Sequence, residues 1–175
     1  MPNLDLLVFR EGELAANLQR ELRELMRNVW GEPGSDGVDW ADPQWRILVR
    51  RNGELVSHVG LLEREVQVGD LRVSVGGVCG VVTRPDRRGC GYAGRALRSA
   101  EDFMRGDVGL DFGMLTCKHE MKSFYTRCGW RASKHQAICQ LPSGPGVIDG
   151  HVTMVLECSD VRWPPGSIDL LGTPW

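Results

Sequence analysis

A glycine-rich turn at residues 88–94 has the composition of an anion-binding site. It follows an apolar stretch that ends at Thr83, and it leads directly into a predicted helix. Such a turn leaves several backbone N–H groups unpaired and pointing one way, where they can bind a diphosphate. The small residues at 89, 91, 93 and 94 let a phosphate approach the backbone. The turn therefore predicts a diphosphate-binding loop, with a tight strand-to-helix connection as the alternative.

The same turn lacks the features of two common nucleotide sites. It contains no G-K-[ST] triplet, which argues against a nucleoside-triphosphate loop. No acidic residue lies where a dinucleotide site would place its ribose partner. The diphosphate should therefore belong to another kind of carrier molecule.

Periodicity and turn residues predict the elements that position this loop. Leucines spaced three or four apart predict an amphipathic helix over residues 11–29, and a breaker-rich surface loop follows at 30–44. Strand patterns at 45–51, 55–68 and 71–83 are separated by Asn52-Gly53 and by Gly69-Asp70. These turns predict an antiparallel meander.

Downstream of the loop the pattern changes to alternating helices and strands. Helices are predicted at 91–106 and 120–128, and strands at 111–117, 132–141 and 151–158. This order indicates an α/β protein with a mixed, mostly antiparallel central sheet flanked by helices. The tail over 159–175, which has three prolines and no periodicity, should lie over the surface.

Composition excludes several classes of protein. A length of 175 residues predicts one domain over 1–175, and the net charge of −2 gives no sign of a nucleic-acid partner. The first residues do not resemble a signal peptide and no apolar run is long enough for a membrane span, so we expect a cytoplasmic protein without membrane contact. The six cysteines contain no C-x-x-C pair, so neither a disulfide framework nor a metal site is expected.

Two segments resemble the motifs of one superfamily. Arg88-x-x-Gly91-x-Ala93, preceded by Arg-Pro-Asp-Arg, resembles the coenzyme A signature of GNAT acetyltransferases, Q/R-x-x-G-x-G/A, at all three fixed positions. Phe124-Tyr125-x-x-x-Gly129-Trp130 resembles their F-Y-x-x-x-G-F/W segment. The resemblance implies the GNAT fold and an N-acetyltransferase that uses acetyl-CoA by direct transfer in a ternary complex.

The resemblance also implies roles for individual residues. Tyr125 matches the tyrosine that protonates the departing coenzyme A thiolate. The strand before the loop would pair with the pantetheine arm, and the loop would hold the pyrophosphate. The implied coenzyme positions are Val81, Val82, Thr83, Arg88, Gly89, Cys90, Gly91, Tyr92, Ala93 and Gly94.

The chain is similar to two groups within the superfamily. Val38-Asp-Trp, Ser57-His-Val-Gly and Tyr125-x-x-x-Gly-Trp resemble aminoglycoside 2′-N-acetyltransferases. Arg84-Pro-Asp and Trp163-Pro-x-Gly, again with Ser57-His-Val-Gly, resemble the rhizobial nodulation N-acyltransferases. Tyr125 favours the first group, which implies that the substrate is a 2′-amino group of an aminoglycoside antibiotic and that the activity confers resistance.

Acidic groups bind the cationic sugar in the aminoglycoside family. The corresponding positions here are Asp36 and Asp39 in the long loop, Asp149, and the carboxylate of Trp175. Cys79 stands where that family has the glutamate of its V-E-G segment, and we assign it to the substrate site. Losing this carboxylate suggests a substrate of different polarity, such as kasugamycin.

Some group must still remove a proton from the substrate ammonium. If Gly69-Asp70 closes a hairpin, facing residues sum to about 139. This register places His58 opposite Val81 and on the same face as Cys79, unless a bulge intervenes. His58 is therefore the predicted base, with a half-buried histidine bonded to backbone as the alternative.

Three questions stay open at this stage. An N-acyltransferase of the nodulation type, with a longer acyl donor and an amino-sugar oligosaccharide as acceptor, is one alternative function. A catalytically idle acyl-CoA-binding domain is another. The oligomeric state is also undetermined, with a homodimer among the alternatives.

Overall fold

A computed structural model describes residues 3–175. Three α-helices are present in that range, namely α1 (Ala16–Trp30), α2 (Tyr92–Phe103) and α3 (Lys122–Arg127). The long strands are β1 (Leu4–Arg10), β2 (Trp45–Arg51), β3 (Glu54–Val68), β4 (Leu71–Thr83), β5 (Phe112–Lys118), β7 (Ala137–Leu141) and β9 (His151–Glu157). Short strands are β6 (Arg131–Ala132), β8 (Gly144–Gly146) and β10 (Ile168–Asp169).

The described strands form one ten-stranded sheet. Its main path runs β6-β9-β5-β4-β3-β10-β7-β8, while β2 pairs with β3 and β1 pairs with β2. Only β4 with β5 and β10 with β7 pair in parallel among these strands. The predicted mixed, mostly antiparallel sheet with flanking helices is confirmed.

The centre of the sheet is the predicted meander. Asn52 and Gly53 have φ angles of 50° and 82°, the conformation that a two-residue hairpin turn requires. Facing residues of β3 and β4 sum to 139 from Val68 opposite Leu71 as far as Gly60 opposite Cys79. The register predicted from the Gly69-Asp70 turn is therefore confirmed for this part of the hairpin.

A β-bulge then changes the register by one residue. His58 pairs with Val82, not with Val81 as predicted, so Val59 faces two residues of β4. The bulge contains Gly80, whose φ of 55° lies in the left-handed region. Glycine adopts that conformation at little cost, and it is typical of the first residue of one class of bulge.

Two helices cover opposite faces of the meander. Leu18, Leu22 and Leu25 of α1, together with Leu14 just before it, pack against Leu48 and Val82. Ala96, Leu97 and Ala100 of α2 pack with Ile47 and Val59 on the other side. Adjacent strand residues such as Ile47 and Leu48 therefore bury their side chains in different clusters, as alternation along a strand requires.

Several predicted boundaries were wrong. The first helix begins at Ala16 and not at residue 11, because Glu11 and Glu13 donate their N–H groups to Gln44 and Arg10 in a turn that follows an edge strand over residues 4–10. The strand predicted over 132–141 is interrupted between Ala132 and Ala137. The tail does not merely cover the surface, since Ile168, Leu170 and Trp175 are each no more than 3% exposed.

Candidate functional site

An opening lies between β4 and β5 because these two strands pair over a short distance only. Residues 75–77 of β4 pair with residues 112–114 of β5. Beyond them β4 continues to Thr83 beside β3, and β5 continues to Lys118 beside β9. Within residues 3–175 no strand fills the gap, so residues 78–83 present an unpaired edge. We call this gap the β4–β5 opening.

The unpaired edge of β4 exposes main-chain groups of Val81 and Thr83. The Arg84 N–H donates to the Val56 carbonyl at 2.9 Å, so the backbone of Arg84 faces β3. Alternate residues of a strand face the same neighbour, so Val82 also faces β3 while Val81 and Thr83 face the β4–β5 opening. These are the two residues predicted to pair with an extended ligand arm.

The glycine-rich turn ends at the N-terminus of α2. Gly89 and Gly91 have φ angles of 76° and 78°, and a Cβ atom built at either would meet nothing within 4 Å. No side chain caps α2 at its first turn. The N–H groups of Tyr92, Ala93 and Gly94 therefore lack helical acceptors, and the helix dipole adds positive potential there. This turn fits a pyrophosphate.

Ion pairs hold the entry to this turn. Arg84 bonds Asp86 at 3.0 Å and Glu54 at 3.2 Å. The hydrogen bond from Arg84 holds the pKa of the Asp86 carboxyl below its usual range. Arg88 and Cys90, the loop residues with functional side chains, are exposed. The loop is thus fixed at its start and open where a ligand would bind.

Tyr92 and Tyr125 are the two tyrosines of the chain, and both are buried. The Tyr92 hydroxyl accepts a hydrogen bond from Arg51 at 3.1 Å, so its side chain belongs to the core and only its main chain faces the turn. Tyr125 is 6% exposed and packs edge-on against Trp130 at 6.4 Å between ring centroids. Burial raises the pKa of Tyr125, with Cys117 and Cys128 adding to the rise, so the phenol keeps its proton at neutral pH.

The surroundings of His58 contradict the prediction that it acts as a base. The imidazole is fully buried, and its Nδ1 lies 2.8 Å from the Gly80 carbonyl. Its Nε2 lies 3.3 Å from a guanidinium nitrogen of Arg46. Since a guanidinium only donates and a carbonyl only accepts, Nδ1 carries the proton and both nitrogens are engaged. Burial, together with Arg46, lowers the pKa of His58 to about 3.

Cys79 lies on the same face as His58, as predicted. A Cβ built at Gly60 would meet the Cys79 sulfur at 2.8 Å and the Cβ of Pro43 at 3.0 Å. Burial raises the pKa of the Cys79 thiol to about 12, with an opposing effect from Arg46 and a reinforcing one from Asp42. The thiol is therefore neutral at physiological pH and can neither deprotonate a substrate nor attack a thioester.

Asp36 and Asp39, the two aspartates of the long loop that were predicted to bind the substrate, differ in their surroundings. Asp36 accepts hydrogen bonds from the Trp40 indole at 2.7 Å and from the Val38 N–H at 3.1 Å, and the Trp40 bond lowers its pKa. Its carboxylate thus shapes the loop, and the predicted contact of Asp36 with the substrate stays a prediction. Asp39 and Asp149 are exposed, so their substrate role stays a prediction.

Sequence reasoning missed Asp42. This exposed carboxylate acts electrostatically on Cys79, and Pro43 next to it lies close to Gly60. The Asp-Pro pair at the end of the long loop was the available signal, because proline fixes the chain just before β2.

Trp175 fills the apex of the β4–β5 opening. Its indole N–H donates to the Met114 carbonyl at 3.2 Å, and a Cβ at Gly77 would meet the ring at 2.5 Å. The Arg64 guanidinium lies 5.2 Å from the ring centroid. Trp175 as a whole is only 3% exposed, and the predicted substrate contact of its carboxylate stays a prediction.

Residues 3–175 contain neither a side-chain cluster typical of a metal site nor a membrane-spanning helix. No three side chains among histidine, cysteine, aspartate and glutamate are grouped so that they could hold a metal ion. No helix in this range is long and apolar enough to cross a membrane.

Comparison with known families identifies the motifs. The model of the "Acetyltransferase (GNAT) domain" family matches residues 8–133. Nodulation protein A of Bradyrhizobium sp. (strain NC92) is 26% identical over 170 residues, which cover 92% of this chain and 78% of that protein. Nodulation protein A of Rhizobium leguminosarum bv. viciae is 31% identical over 128 residues, covering 67% of this chain and 63% of that protein.

Solved structures share the fold. An acyl-CoA N-acyltransferase from Pseudomonas aeruginosa superposes with a TM-score of 0.63 at 18% identity, over 88% of this chain and 99% of that one. A GNAT family N-acetyltransferase from Escherichia coli in complex with CoA gives a TM-score of 0.63 at 15% identity, over 97% of this chain and 92% of that one. The GNAT fold predicted from the motifs is confirmed.

Replacing Gly91 with valine should weaken acetyl-CoA binding. A β-branched residue is strained at φ of 78°, and its side chain would displace a phosphate from the helix N-terminus. We expect the Kd for acetyl-CoA to rise roughly 10- to 100-fold, the effect of one lost charge-assisted hydrogen bond. Isothermal titration calorimetry measures this.

The matched control is Gly109→Val. Gly109 has φ of 80° and equally open surroundings, but it lies beyond the far end of α2. Equal losses of affinity in both variants would show that backbone strain, not the pyrophosphate loop, causes the effect.

Proposed function

Since the chain belongs to the GNAT acetyltransferase family and is an acyl-CoA-dependent N-acyltransferase, we propose that it acetylates a primary amine of an amino sugar. The observation that carries this proposal is the β4–β5 opening. The free edge of β4 borders it on one side, and the segment of β5 that contains Cys117 borders it on the other. Tyr125 packs in the same buried cluster as Cys117, and the uncapped N-terminus of α2 follows β4. Which amino sugar is the acceptor is a separate question from the class of reaction.

The coenzyme fits the groups that border this opening. Main-chain groups of Val81 and Thr83 would pair with its amide-bearing arm, and the turn at 88–94 would hold its pyrophosphate. When bound, acetyl-CoA supplies an activated acyl group as a thioester. The N–H groups of the open edge would stabilise negative charge on the acyl oxygen.

Tyr125 would supply the proton that the departing thiolate needs. Its raised pKa keeps the phenol protonated, and a protonated group close to the opening can act as a general acid. The packing of Tyr125 between Phe124 and Trp130 fixes the ring.

Asp42 replaces His58 as the proposed proton acceptor. The substrate ammonium must lose a proton before it can attack. His58, with a pKa of about 3 and both ring nitrogens hydrogen-bonded, is too weak a base, and Cys79 is a protonated thiol. Asp42 is exposed and precedes Pro43, which lies next to Gly60 as the Cys79 sulfur does, and its carboxylate would hold the ammonium and, through a water molecule, take its proton.

An amino sugar is the acceptor class that both resemblances share. The nodulation protein A relatives extend over most of the chain, and the nodulation-type enzymes it resembles acylate amino-sugar oligosaccharides. Asp39, Asp42 and Asp149 would supply negative charge near the opening for a cationic sugar. An aminoglycoside, with kasugamycin as the first candidate, is one member of this class.

The nodulation relatives also favour a second function, transfer of a longer acyl chain. The packing at the apex argues for a short acyl group instead. Trp175 occupies the space next to Gly77 and Met114, where the two strands meet, so a chain extended toward the apex would collide with its indole. Acetyl is therefore the proposed acyl group.

A thiol-release assay tests the proposal. Acetyl-CoA and a long-chain acyl-CoA are offered with aminoglycosides including kasugamycin, glucosamine oligomers and polyamines. We expect release with acetyl-CoA and an amino sugar. Release with long-chain donors and glucosamine oligomers alone would establish the nodulation-type reaction. Coenzyme binding without release on any amine would indicate an idle acyl-CoA-binding domain.

Replacing Tyr125 with phenylalanine should lower kcat about 100-fold, because a positioned general acid contributes that much or more. The Kd for acetyl-CoA should change little, since the ring is kept. Phe124→Leu is the packing control, because Phe124 lies 5.0 Å from the Tyr125 ring and has no proton to give. Unchanged turnover in Tyr125→Phe would remove Tyr125 from the acid role.

Asp42→Asn should lower kcat/KM for a cationic acceptor about 10- to 100-fold, with a larger loss at low pH where less free amine is present. Asp39→Asn removes the same charge from the same loop and serves as the control. Steady-state kinetics over a pH series distinguishes the two variants. Equal losses in both variants would show that Asp42 contributes only long-range attraction and does not accept the proton.

A further inference from the structure

The bulge in β4 is held by hydrogen bonds from two fully buried side chains of β3. The Nδ1 atom of His58 lies 2.8 Å from the Gly80 carbonyl oxygen. The Ser57 hydroxyl donates to the Val82 carbonyl at 2.8 Å. Both residues are 0% exposed. Ordinary ladder bonds run between backbones, so the His58 bond to a carbonyl of the bulge and the Ser57 bond to the carbonyl two residues further on are additional restraints on this part of β4.

These bonds determine where the next N–H groups point. The described chain contains no cis peptide bond, and in a planar trans peptide the C=O and N–H point in opposite directions. A Gly80 carbonyl directed at the His58 imidazole therefore directs the Val81 N–H away from that ring. The Val82 carbonyl directed at Ser57 likewise directs the Thr83 N–H away from Ser57. Both N–H groups face the β4–β5 opening.

Arg46 fixes the tautomer on which this depends. Its guanidinium contacts His58 Nε2 at 3.3 Å and is itself paired with Glu11. The Arg46 side chain is only 14% exposed. Because arginine cannot accept a hydrogen bond, Nε2 must accept and Nδ1 must donate. Arg46 thus donates to Glu11 on one side and to His58 on the other, and His58 in turn donates to the Gly80 carbonyl.

Close packing leaves the imidazole no alternative position. A Cβ at Gly80 would lie 3.2 Å from His58 Cε1 and 3.4 Å from the terminal methyl of Met26 in α1. The ring therefore lies against the glycine backbone and beneath α1. A side chain at residue 80 would displace it, which adds a steric reason for glycine to the positive φ.

We propose that His58 is a positioning residue whose Nδ1–H, oriented by Arg46, holds the Gly80 carbonyl and so aims the Val81 N–H at the coenzyme-borne acyl group. This rests on the proposed coenzyme site, because the ligand of that N–H is the bound acyl-CoA. His58 makes no contact with the acceptor and exchanges no proton during the reaction.

A pair of substitutions separates this role from that of a base. Asparagine places an amide N–H as far from Cβ as His58 Nδ1 and can donate to Gly80, yet it cannot accept a proton near neutral pH. Leucine has a similar shape without the donor. We expect His58→Asn to keep kcat within about threefold of the wild type. His58→Leu should lower kcat about 10- to 100-fold, the effect of misplacing a reacting group by about 1 Å.

Nuclear magnetic resonance supplies a readout that needs no acceptor. In the wild type, the nitrogen shifts of His58 should show a proton on Nδ1 and no titration between about pH 5 and pH 8. Addition of acetyl-CoA should shift the Val81 and Thr83 amide resonances in the wild type and in His58→Asn. The Val81 shift should be much smaller in His58→Leu.

Several outcomes would overturn the proposal. A proton on Nε2, or titration of His58 near neutral pH, would contradict the tautomer. Loss of turnover in His58→Asn equal to that in His58→Leu would assign His58 another role. If no amine is acetylated, the proposed function fails, while the nitrogen shifts and the Val81 amide still decide whether His58 positions the bulge. If His58→Leu does not fold, the wild type and His58→Asn give the same decision.

Discussion

The site depends on where the hydrogen bonding between β4 and β5 stops. Three residue pairs hold the strands together, and after Gly77 and Met114 they separate. A strand edge without a partner ordinarily exposes N–H and C=O groups at a cost, unless water or a ligand satisfies them. Here the open edge lies inside the protein's own sheet, so only a narrow, extended molecule can pair with it. The fold thus selects the shape of its ligand before any side chain contributes.

Buried polar groups around the opening are satisfied in an ordered way. Ser57 and His58 are fully buried and Thr83 is half-buried, and an unpaired buried polar atom would cost about 1–3 kcal/mol. The Ser57 hydroxyl gives its only hydrogen to Val82, so the Thr83 hydroxyl, 2.9 Å away, must donate to Ser57. Such networks admit one arrangement of protons, and that uniqueness makes the backbone of the bulge rigid.

Sequence reasoning predicted the elements with strong periodicity and the motif-bearing loop. It placed the meander and the register up to Gly60, because the Asn52-Gly53 and Gly69-Asp70 turns fix both hairpins. It could not place the bulge, since a glycine at positive φ in a strand looks like any other glycine. The continuous apolar run of β1 shows no alternation, and the buried tail lacks periodicity, so both were missed. His58 was therefore placed on the correct face of the sheet, but its surroundings contradict the predicted role as a base.

The contact of Gly60, Cys79 and Pro43 limits how this enzyme could change its chemistry by mutation. The Cys79 sulfur already lies close enough to Gly60 that even a methyl group there would crowd it, and Pro43 closes the space from the other side. A glutamate at position 79, as aminoglycoside 2′-N-acetyltransferases have, would need room that these neighbours occupy. Replacing Asp42 as the proposed proton acceptor by a glutamate at position 79 would thus require the long loop and β4 to change together.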